Sequence, residues 1–97
     1  MKVTIQGDEI LSEQDLHNVL ARQLRFGPYY GRNLDGLRDR LSTDVQRPVE
    51  IIWRIASASR SHLGDELYAK IVNLLRSVEA SDQRAGYSDR LCVEIEE

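Results

Sequence analysis

The chain has 97 residues, 41% hydrophobic and 30% charged, with two prolines and six glycines. One modest core fits in that length, and the composition excludes a disordered or collagen-like chain. Thirteen basic residues against sixteen acidic ones give a net charge of −3, a sign that argues against general binding to nucleic acid or anionic membranes.

In chain order, Val3 and Ile5 alternate with polar neighbours and are stopped by Gly7-Asp8, which reads as a short half-buried strand. Ser12 is the expected N-cap of a first helix, with Asp15 as its capping-box partner and Leu11 and Leu16 placed for a hydrophobic staple. Leu16, Val19, Leu20 and Leu24 then form one apolar stripe, and His17 is expected roughly opposite it. Gly27 and Pro28 break that helix, and Gly31 is a candidate for positive φ. Asn33 is the expected cap of a second helix, with Leu34, Leu37 and Leu41 inward and Asp35 in the dipole-favoured first turn.

Residues 42–48 read as a loop. The β-branched run from Val49 to Ile55 reads as a central strand, in which Trp53 is expected to be core. Residues 56–63 are either a short helix or a loop. From Asp65, Leu67, Ile71, Leu74, Leu75 and Val78 give the strongest helical periodicity of the chain. Residues 81–90 read as a polar loop, and Leu91, Val93 and Ile95 as one side of a last strand, with Cys92 expected buried or half-buried. Connections this long and helical imply parallel strands joined by right-handed crossovers. The expected architecture is therefore α/β, a small two-layer domain spanning residues 1–97, with a three-stranded parallel sheet and about four helices.

Chemistry-bearing motifs are scarce. There is no glycine-rich phosphate loop with a lysine, no Gly-x-Ser-x-Gly elbow and no metal-ligand spacing among two histidines and one cysteine. The expectation is no catalysis, no cofactor and no metal site. A lone cysteine, the absence of an apolar leader stretch and the short apolar runs point to a cytoplasmic protein without a membrane span. Charge is uneven: residues 1–15 and 55–97 each carry three surplus acids, whereas residues 16–54 carry seven arginines against four acids.

One stretch departs from generic folding grammar. In residues 29–39, two tyrosines lead into a helix on which Asp35 and Asp39 share a face beside Arg38. Residue types alone leave two readings. One is a solvated helix face under a packed tyrosine pair. The other is a recognition surface, with rigid tyrosine area and fixed carboxylates.

The run Tyr29-Tyr30-Gly31-x-Asn33-Leu34-Asp35-x-Leu37-x-Asp39-x-Leu41 resembles the signature of the barstar family of ribonuclease inhibitors. Asp15-Leu16-His17, Pro48 and Trp53-Arg54 extend the resemblance along nearly the whole chain. The resemblance implies three parallel strands with four helices. It also implies a cytoplasmic protein, monomeric when free, that occludes the active site of an extracellular ribonuclease and contacts no nucleic acid directly. Asp39 would then occupy the phosphate site, Asp35 would pair with basic groups of the cleft, and Tyr29 would stack beside the catalytic histidine. Gly31, Asn33 and Leu34 would line the contact, and Tyr30, Arg38 and Ser42 would complete a partner-binding surface over residues 29–42. An immunity role against a different toxin and a regulatory protein-binding module are the alternatives. The sequence departs from the family pattern where Arg38 replaces a tryptophan, where Ser77 replaces an acidic contact, and in a longer segment 81–90.

Overall fold

The computed structural model describes all 97 residues. Strand β1 (Lys2–Gln6) passes through a 3-10 turn at Gly7–Glu9 into α1 (Glu13–Leu24) and α2 (Leu34–Thr43). Strand β2 (Val49–Arg54) leads into α3 (Ala56–Leu63) and α4 (Asp65–Arg84), and β3 (Leu91–Ile95) closes the chain. The sheet is parallel throughout, in the order β1-β2-β3. Its register aligns Val3, Ile51 and Val93 in one row and Ile5, Trp53 and Ile95 in the next. These side chains point toward the helices, where Leu16, Leu20, Leu37, Leu41, Ile71 and Leu75 complete a continuous core. The expected α/β architecture of three parallel strands and four helices is therefore the observed one. No helix is long and apolar enough to cross a membrane.

Alternate residues of each strand lie on the side of the sheet that no helix covers. Cys92 is one of them, between inward Leu91 and Val93, and it is exposed rather than half-buried. Trp53, in contrast, is fully buried as expected. Its indole N–H donates to Ser59 Oγ at 2.9 Å, and the Ser59 hydroxyl donates to the Gly7 carbonyl at 2.7 Å. A Cβ at Gly7 would collide with the carbonyls of Arg54 and Ile55, so the turn after β1 packs against the end of β2 only because residue 7 has none.

Side chains cap Thr4 on one sheet edge and Leu91 and Val93 on the other. On the β1 edge, the Gln23 amide accepts from Thr4 N–H at 3.2 Å and donates to Thr4 O at 2.8 Å, imitating a neighbouring strand. On the β3 edge, the Leu91 N–H donates to Asp82, the Val93 N–H donates to Glu79, and Arg76 donates to Val93 O, at 2.7, 2.8 and 2.7 Å. Edge groups satisfied in this way are not templates for another strand.

Several local expectations are corrected. α4 continues to Arg84, so the polar segment begins later than residue 81. The extension buries Asp82, whose carboxylate receives Arg47 through two hydrogen bonds of 2.8 and 3.1 Å. Residues 56–63 are helix, α2 runs to Thr43, and β2 stops at Arg54 because Ile55 turns into the left-handed region with φ of 51°. Positive φ in the segment before α2 falls on Arg25, Gly27 and Arg32, not on Gly31. Ser12 caps α1 through the Asp15 N–H, whereas Leu11 stays exposed and forms no buried staple.

Candidate protein-binding surface

The loop 25–33 and helix α2 pack as one unit, built from below. α1 ends as Arg25 turns left-handed, and Phe26 drops into the core. Tyr30 follows it, with its ring centroid 4.8 Å from that of Phe26. Arg40, from the last turn of α2, reaches back: its guanidinium lies 5.6 Å from the Phe26 ring and 5.9 Å from the Tyr30 ring, and it donates to Phe26 O at 2.7 Å. A cation over two aromatic faces plus a charge-assisted hydrogen bond ties the loop to the helix it precedes.

Under this clamp lies a buried polar chain. His17 Nε2 is 2.8 Å from a Glu13 carboxylate oxygen, and His17 Nδ1 is 2.6 Å from the Tyr30 hydroxyl. A carboxylate only accepts, so Nε2 carries a proton. In the neutral ring Nδ1 then accepts from the tyrosine O–H. Burial pushes the Tyr30 phenol up to about 12, which keeps it a donor; Glu13 adds to the shift, and Arg32 and Arg40 oppose it. His17 is thus turned inward, fully buried, and not opposite the apolar stripe. His62 lies in the last turn of α3, on the surface.

The helix starts as its sequence implies. Asn33 is extended and its side-chain oxygen accepts from Gly36 N–H at 2.7 Å. Leu37 and Leu41 are buried and Leu34 is half-buried. That phase leaves Asp35, Arg38, Asp39 and Ser42, at offsets 0, 3, 4 and 7, as an exposed stripe. Neither the Asp35 nor the Asp39 carboxylate has an ion-pair or hydrogen-bond partner within the chain. Arg38 donates instead to Ser77 Oγ on α4, at 3.3 Å. Ahead of the stripe, Tyr29 projects with 91% of its surface exposed, and Gly31 and Asn33 are also exposed.

The residues named from the sequence therefore divide. Tyr29, Gly31, Asn33, Asp35, Arg38, Asp39 and Ser42 share one accessible surface, with Leu34 at its edge. Tyr30 does not belong there: its side chain is 5% exposed, because its ring fills the space between Phe26 and His17, and it supports the loop from within. The residues that sequence reading missed are the supports Arg40, His17 and Glu13. Only the Glu13–His17 pair left a trace, in its i, i+4 spacing. Arg40 carries no signal, since its partner rings lie 10 and 14 residues upstream.

The small parallel α/β fold thus presents a braced loop and a helix with two unpaired carboxylates on one exposed surface. The chain belongs to the barstar family, described as "Barstar (barnase inhibitor)", whose match spans residues 1–95. Among individual proteins it is similar to "Putative ribonuclease inhibitor YrdF" of Bacillus subtilis (strain 168). The two are 36% identical over 63 residues, covering 65% of this chain and 69% of that protein.

Proposed function

We propose that this protein inhibits a ribonuclease by placing Tyr29 and the exposed stripe of α2 in its active-site cleft. The observation that carries the reading is the pair of free carboxylates, Asp35 and Asp39, on one face of a helix whose preceding loop is locked by Arg40 and the His17–Tyr30 contact. A site that cleaves RNA holds phosphate oxygens with cationic donors. A carboxylate on a rigid support offers acceptors to those same donors without leaving a bond to cleave. Rigidity matters because little side-chain or loop entropy remains to be lost on docking.

Within this reading Asp39 takes the phosphate position, Asp35 meets bases at the cleft wall, and Tyr29 lies against the catalytic histidine. Gly31, Asn33 and Leu34 bound the contact, and Ser42 closes its far end. The protein acts without catalysis or cofactor, as a monomer when free, in the cytoplasm of a cell that exports the enzyme. The family membership and the related Bacillus subtilis protein support a ribonuclease as the target. The test is titration of RNA cleavage by barnase with the purified protein: stoichiometric loss of activity supports the proposal, and unchanged cleavage at equimolar protein opposes it.

A further inference from the structure

Between α2 and α4 runs a groove with Leu34 and Leu74 in its lining and Arg38, Lys70, Asn73 and Ser77 around them. Asp35 also lines it. Asp35 and Arg38 stand at i, i+3, a spacing at which a carboxylate and a guanidinium readily meet on a helix. They do not meet: no carboxylate of the chain pairs with Arg38. Its guanidinium crosses to α4 and donates through Nη1 to Ser77 Oγ, whose own hydroxyl donates to Leu74 O at 2.7 Å. The serine holds one guanidinium nitrogen and leaves the remaining N–H groups of the fork unused. Lys70 adds a second cation, 3.6 Å from Glu66 in a pair whose members are both well exposed. With Asp35 engaged by basic groups of a cleft, as the proposed function has it, and Lys70 paired with Glu66, Arg38 is the one charge lining the groove without an opposite charge.

We infer that this groove receives an acidic side chain from the rim of the target ribonuclease, and that Arg38 is a specificity-determining residue that selects such enzymes. A planar fork anchored at one end is suited to a bidentate carboxylate. The same guanidinium repels a rim that carries lysine or arginine there, and discrimination needs both effects. Two neighbouring positions serve one purpose in this account: the cation at residue 38 reads the partner, and the small hydroxyl at residue 77 holds it without neutralising it, as an acid there would. The inference rests on the occlusion reading above.

The probe is barnase together with single-substitution barnases carrying either glutamate or lysine at each rim position of the active-site cleft. Inhibition constants are measured for the wild-type chain, Arg38→Ala, Arg38→Glu and Asp39→Ala, each checked by circular dichroism for an unchanged fold. The expected result is at least one rim position at which wild type prefers the glutamate enzyme by about tenfold, the scale of a charge-assisted pair. Arg38→Ala should remove that preference and Arg38→Glu should reverse it, while Asp39→Ala weakens inhibition of every panel member alike. A glutamate-to-lysine ratio that is the same for wild type and Arg38→Glu at every position overturns the assignment of Arg38 and leaves the occlusion reading intact. A wild-type chain that inhibits no member of the panel overturns both.

Discussion

The Tyr30 hydroxyl lies 2.6 Å from Nδ1 of His17, and both side chains are buried. This contact joins α1 to the loop that carries Tyr29, so the exposed tyrosine is fixed by the buried one beside it. Tyr30→Phe keeps the ring packing against Phe26 but leaves the imidazole nitrogen without its donor. The expected cost is about 1–3 kcal/mol, that of a buried polar group left unsatisfied. Urea unfolding measures it. The phenol's raised pKa adds a pH signature. Its contribution is fully present below the unfolded value of about 10 and is lost as pH rises toward about 12. Alkaline loss of stability should therefore be smaller in Tyr30→Phe than in wild type.

At acid pH the corresponding group is Asp82. The Arg47 guanidinium hydrogen-bonded to it holds its carboxyl below the usual carboxylate range; burial opposes the shift, and the Leu91 N–H adds to it. A lowered folded-state pKa gives stability that is present above the unfolded value of about 3.9 and disappears as pH falls through the folded one. Wild type should lose stability steeply below about pH 4, and Asp82→Asn should start less stable and lose less over that interval. Asp82→Ala should cost about 3 kcal/mol at neutral pH, because it strands Arg47 and unpairs the first N–H of β3.

Gln23 guards the β1 edge. Gln23→Ala frees both backbone groups of Thr4 and is expected to lower stability by about 1 kcal/mol and to raise aggregation during refolding, read by light scattering. Gln23→Glu keeps the acceptor but loses the donor, and should fall between the two.

Arg40→Ala removes the clamp on Phe26 and Tyr30 without touching the exposed stripe. It should weaken inhibition by about tenfold through loosening of the loop, with backbone amides of residues 27–32 exchanging faster with solvent. Arg40→Lys, which retains charge but not the planar fork, should recover only part of the loss.

Much of this molecule could be read from local pattern. The 0, 3, 7 spacing of Leu34, Leu37 and Leu41 set the phase of α2 and hence the exposure of Asp35 and Asp39. Asn33 announced the helix start, and the alternation in β1 and β3 announced the sheet. What escaped depends on residues far apart in sequence. His17 looks like a surface residue until Tyr30, 13 positions on, supplies its buried partner. Asp82 looks like loop until Arg47, 35 positions back, neutralises it and lets the helix run on. Tyr30 and Tyr29 are adjacent and of one type, and only the packing of Phe26 and Arg40 decides which is core and which is surface. Cys92 alternates with inward Leu91 and Val93 and so falls on the sheet face that no helix covers.

The central claim is that the carboxylates of α2 stop an RNA-cleaving site. Its most direct test is the titration of barnase activity with wild type and Asp39→Ala. Removing one partner of a desolvated charge pair typically costs about 2–5 kcal/mol, and barnase–barstar complexes are among those that define this range. The account predicts one-to-one loss of RNA cleavage with wild type, and at least about thirtyfold weaker inhibition by an Asp39→Ala protein of unchanged fold. Equal inhibition by the two proteins would contradict it.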